Sequence, residues 1–98
     1  MVEAFGSHGI TLRLLARTEH AQVSSAEFAP GGLLGRHPAA GAQTLAVLNG
    51  SGWASGADGV RHDLVAGDLV RFDPGESHES GSDAGMVAIV VETATPAG

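Results

Sequence analysis

The chain has 98 residues, 43% hydrophobic and 16% charged, with a formal net charge of −6. That is one domain's worth of sequence, apolar enough to fold but with a thin core. Cysteine, tyrosine and lysine are absent, and the five basic residues are scattered arginines (Arg13, Arg17, Arg36, Arg61 and Arg71). This excludes thiolate, disulfide, Schiff-base and tyrosine-acid chemistry and argues against a nucleic-acid partner. In chain order, Ile10, Leu12 and Leu14 alternate with Thr11 and Arg13, predicting a strand with one apolar face. Ala21 to Phe28 also reads as strand, but Val23 and Phe28 differ in parity, which predicts a bulge. Leu45 to Leu48 is a continuous apolar run, expected of a strand buried on both faces. Val60, His62 and Leu64 alternate with Arg61 and Asp63, and Leu69, Val70 and Phe72 form a further run. Met86 to Val91, rich in β-branched residues, is the strongest strand signal.

Turn formers punctuate these runs at nearly even spacing. They are Pro30-Gly31-Gly32, Asn49-Gly50-Ser51-Gly52, Ala57-Asp58-Gly59, Ala66-Gly67-Asp68, Asp73-Pro74-Gly75 and Ser80-Gly81-Ser82-Asp83. The pattern predicts an all-β domain of about eight strands. Residues 93–98 read as a frayed tail, and there is no repeat or second domain. No apolar stretch approaches the ~20 residues of a membrane helix, and the N-terminus lacks the basic start of a signal peptide. A cytoplasmic protein without a membrane partner is therefore expected.

Chemistry must come from histidine, carboxylate, hydroxyl or arginine side chains, or from a bound ion. His8 and His20 fall in connections and His62 in mid-strand, where a structural or exposed role is the plain reading. His37 and His78 each sit where a turn hands over to a strand. Gly31, His37, Ala39, Gln43 and Gly50 have the spacing G-x5-H-x-A-x3-Q-x6-G. Gly67, Asp73, Gly75, His78 and Ser82 have the spacing G-x5-D-x-G-x2-H-x3-S, and residues 51–66 separate the two sets. These resemble the two motifs of the cupins, G-x5-H-x-H-x3–4-E-x6-G and G-x5-P-x-G-x2-H-x3-N, in a small single-domain member of the cupin 2 type.

The resemblance implies a double-stranded β-helix, or jelly-roll barrel, over about residues 10–92 of a single domain spanning residues 1–98. It implies a divalent metal (Fe, Zn, Mn or Ni) near one mouth of the barrel, with His37 and His78 at ligand positions and Gln43 where a glutamate would stand. Ala39 replaces a second ligating histidine, Asp73 a proline and Ser82 an asparagine. Because positions i and i+2 of a strand share a face, residues 37 and 39 are both expected to point inward. Three outcomes stay open. A metal binds through His37, Gln43 and His78 beside a small polar metabolite, with Glu76, Glu79 or His62 as an extra ligand or base. Alternatively, the barrel is a metal-free small-molecule or regulatory pocket. Or the histidines are vestiges. Homodimerisation is implied by the family, whereas catalytic residues and enzymic activity are left open.

Three smaller expectations complete the reading. Gly50-Ser51-Gly52 opens like a dinucleotide fingerprint, but Ser55 and the lack of a helix make it a hairpin turn, with Trp53 a packing residue or dimer contact. Arg36 reads as solvated, or else as facing a substrate carboxylate. Glu76 and Glu79 read as exposed loop acids that would raise the pKa of His78 if close.

Overall fold

The computed structural model describes residues 4–93. A 3-10 turn at Ala4–Gly6 leads into β1 (His8–Arg17), β2 (Ala21–Pro38) and β3 (Ala42–Ser55). Then follow β4 (Arg61–Val65), β5 (Leu69–Phe72), β6 (Ser77–Ser82) and β7 (Met86–Thr93). Every pairing between them is antiparallel.

β2 and β3 are long, and each serves two layers. Residues 21–28 of β2 pair with β1 on one side and β7 on the other, and β7 pairs in turn with residues 42–50 of β3, which pair with β5. Farther along, residues 32–38 of β2 pair with β6, while residues 51–55 of β3 pair with β6 and β4. The result is a jelly-roll barrel in which two strands cross from one layer to the other. Inward-facing Ile10, Ala26, Phe28, Leu45, Val47, Phe72, Met86 and Ala88 are buried between the layers.

The strand runs read from the sequence are present, with five corrections. The described residues hold seven strands rather than eight. Asn49–Gly52 is not a hairpin turn but lies inside β3. There the β3–β7 ladder slips between Val47 and Asn49, and Gly50 adopts φ 81°. A Cβ at Gly50 would collide with the carbonyl oxygen of Gly85, so glycine here permits a bend between layers instead of a reversal. Pro30–Gly32 and Ser80–Ser82 are likewise inside β2 and β6. The bulge expected in residues 21–28 falls on β1 instead, between Leu14 and Ala16, while β2 and β7 pair without a slip. Val23 differs in parity from Phe28 because it faces outward. Leu45 and Val47 are buried but Leu48 is 58% exposed, so that run has one buried face, not two.

Residues 94–98 of the expected tail lie outside the described residues, and Thr93 ends β7. Among the described residues no helix is long and apolar enough to cross a membrane.

Candidate functional site

A cavity of about 180 Å³ opens inside the barrel. One wall is built by β2, β7 and β3 in strict register. Ala26, Ala88 and Val47 form one row, Ser24, Val90 and Leu45 the next, and Gln22, Glu92 and Gln43 the last. Since side chains two apart share a face, the wall grades from an apolar floor to a polar rim. Leu12 of edge strand β1 and Leu34 of β2 complete the apolar lining.

His37 and His78 face this cavity from the other layer, where β2 and β6 place them directly opposite one another. Their ring centroids are 4.4 Å apart. His37 lies 2.7 Å by Nδ1 from the carbonyl oxygen of Gly35. A carbonyl only accepts, so Nδ1 is the donor, which in a neutral ring leaves the lone pair on Nε2. Phe5 stacks on the same ring at 5.1 Å. His78 is wedged against Phe72, with ring centroids 4.3 Å apart, and is 2% exposed. Burial lowers its pKa to about 4, assisted by His37 and Arg36, while Glu76 acts in the opposite direction. His78 is therefore a neutral imidazole at physiological pH. Its Nε2 and the Oγ of Ser80 are buried without a hydrogen-bond partner.

Gln43 lines the same cavity as the two histidines. Ala39 does not. β2 ends at Pro38, and Ala39 turns into the core with its N–H donated to Glu76 O and its carbonyl accepting from Gly75 N–H. Among the described residues, no group of three or more His, Cys, Asp or Glu lies close enough to hold a metal ion.

Three neighbouring residues, Arg36, Glu76 and Glu79, differ from their sequence reading. Arg36 donates to the carbonyls of Gly56 (2.9 Å) and Ser77 (3.0 Å) and to Ser55 Oγ, so its guanidinium staples the end of β3 to the start of β6 and is neither idle nor turned to the cavity. Glu76 is half-buried and accepts the N–H groups of Asp73 (2.9 Å) and Ala57 (3.0 Å), which hold its carboxyl below the usual value. Glu79 lies on β6 opposite Ser55, outside the cavity. Exposed His62 borders an outer groove with Glu76. Trp53 carries the Arg61 guanidinium 3.7 Å from its ring centroid.

The family model described as a cupin domain matches residues 24–92. The chain is a cupin. Solved relatives with the same fold include an RmlC-like cupin from Shewanella frigidimarina, with TM-score 0.82, 21% identity, and 89% of this chain and 78% of that one covered. Another is an RmlC-like cupin from Methanocaldococcus jannaschii with a double-stranded β-helix fold, with TM-score 0.79, 17% identity and coverage of 87% and 80%. Among curated proteins, an (R)-mandelonitrile lyase of Granulicella tundricola is 39% identical over 59 residues, 60% of this chain and 45% of that protein. The match thus spans less than half the length of that relative.

In this cupin the polar lining includes Gln22, Ser24, Ser80 and Glu92, which the sequence reading overlooked. Glu92 follows Met86, Ala88 and Val90 in parity, so extending the strand by one residue finds it. Gln22 and Ser24 share parity with Ala26 and Phe28. Ser80 shares the face of His78, but the flanking glycine and serines made that stretch look like a turn.

Proposed function

We propose that this cupin holds a divalent cation through His37, Gln43 and His78 and presents it to a small organic molecule in the barrel cavity. The observation that carries this reading is the buried, partnerless Nε2 of His78, in a side chain kept neutral by its surroundings. Buried polar atoms are nearly always satisfied, and a lone pair without a partner in a cavity is suited to an ion or a ligand. His37 fits the same role, because an Nδ1–H held by a backbone carbonyl is the support that orients a metal-bound imidazole. Gln43 adds a neutral oxygen donor, weaker than a carboxylate.

When bound, the ion would supply a Lewis acid with open coordination positions. The protein's own residues orient and enclose the ligand. Phe28, Leu34, Leu45 and Val90 exclude water from its apolar part, and Ser24, Ser80, Gln22 and Glu92 offer hydrogen bonds. An apolar cavity of about 150 Å³ takes benzene, so a ligand somewhat larger than benzene suits this one. The curated relative makes (R)-mandelonitrile a concrete first substrate to try. A second reading, a metal-free binding module, is favoured by the lack of any third His, Cys, Asp or Glu beside the two histidines among the described residues. A homodimer is favoured by edge strand β1, whose Leu12, Leu14 and Leu15 are 44%, 54% and 54% exposed.

Elemental analysis of tag-free protein, before and after incubation with Fe, Zn, Mn or Ni, separates the two readings. Near-stoichiometric metal that disappears in His37→Ala and His78→Ala is expected. No metal above background with any of the four ions refutes the metal reading and leaves the binding module.

A further inference from the structure

Glu92 is a half-buried carboxylate in the wall of a largely apolar cavity. No arginine lines that cavity. Arg17 borders an adjoining surface hollow that Glu92 also touches, yet among the described residues Glu92 makes no ion pair with it. A carboxylate drawn out of water without a counter-charge is unfavourable unless something else compensates it. Its cross-strand neighbours are amides: Gln22 on β2 and Gln43 on β3 both stand directly opposite it. Directly opposed residues have Cβ atoms about 5 Å apart, within reach of one another's side chains.

The same register exposes a displacement of charge. Residue 43 is the cation ligand that is neutral here, and the next strand brings a carboxylate alongside it. We infer that Glu92 acts as the outer carboxylate of the cation held by His37, Gln43 and His78, restoring from β7 the negative charge that residue 43 lacks. It does so through Gln43 and not as a ligand itself, since Glu92 does not come together with the two histidines into an ion-holding group. A carboxylate is acceptor-only, so beside an amide it favours the orientation that offers it the NH2 and turns the carbonyl oxygen away. Glu92 is thus a positioning residue: it fixes which end of Gln43 is presented and adds an attractive charge at short range. The inference rests on the cation reading given above.

The test is metal affinity of the full chain, titrated with Zn2+ or Mn2+ alone by calorimetry or chelator competition. Glu92→Gln keeps the shape and removes the charge, and is expected to weaken binding about 10–100-fold, the usual cost of losing an outer-shell partner. The charge-swapped double variant Glu92→Gln/Gln43→Glu is expected to recover most of that loss, which mere damage to the fold would not allow. Glu92→Gln binding within about twofold of the unaltered chain overturns the inference alone, provided His37→Ala still abolishes binding. Failure of the unaltered chain to bind either ion overturns both the inference and the reading beneath it.

Discussion

Protonation of His78 sets a pH dependence of stability that can be worked out in advance. In the folded protein without a bound ion its pKa is lowered from 6.5 to about 4, first by burial and then by His37. The unfolded chain therefore takes up a proton, as the pH falls through this window, that the fold refuses. Stability is complete above the unfolded value and declines toward the folded one. Linkage over that interval gives a loss of about 2 kcal/mol between pH 7 and pH 5, and about 3 kcal/mol once both states are protonated. The upper part of the window lies above the range in which Glu76 titrates, so the histidine can be read separately. Urea unfolding in the presence of a chelator, at several pH values from 7 to 5, measures the slope. In His78→Gln, which cannot take up the proton, the slope should flatten by about 2 kcal/mol over the same interval. An unchanged slope in that variant would refute the assignment of a neutral, desolvated imidazole at residue 78.

Three further substitutions test the barrel around the site. Gly50→Ala should lower stability by about 2–3 kcal/mol, because it combines positive φ with a collision against Gly85 O, whereas Gly59→Ala, also at positive φ but facing open space, should cost about 1 kcal/mol. Equal losses in chemical denaturation would mean that the approach of Gly85 is not limiting. Leu14→Arg on the exposed edge strand should convert a sedimenting dimer to a monomer, and an unaltered chain that already sediments as a monomer ends the dimer reading.

Much of the barrel is legible in the sequence because alternation reports directly on which side of a strand faces apolar surroundings. Met86, Ala88 and Val90 show this, and so does the placing of His37, Gln43 and His78 at one cavity. What misleads is local composition. Asn49–Gly52 and Ser80–Ser82 carry turn residues, yet the first bends a strand between layers and the second runs between β2 and β3. Propensity there yields to pairing with strands distant in sequence, which is a tertiary fact. Ala39 is buried, as the i, i+2 rule expects, but β2 stops at Pro38 and the residue does not line the cavity. Arg36 and Glu76 find their partners across the β3–β4 connection, at separations of 19–41 residues that no local pattern reports.

The placing of β7 has a consequence for how the molecule assembles. Seventh in chain order, it is the middle strand of its layer, with β2 on one side and β3 on the other. Until it arrives, both long strands present unsatisfied backbone edges, and the graded wall is missing its central column. Cavity formation therefore depends on non-local strand closures, of the kind that places β topologies in the millisecond-to-second range. A molecule that opens by releasing β7 loses its binding chamber before it loses either layer's outer hairpins, so a bound ligand would act as a clasp on that strand. Hydrogen exchange along Met86–Thr93 is where such a clasp would register first.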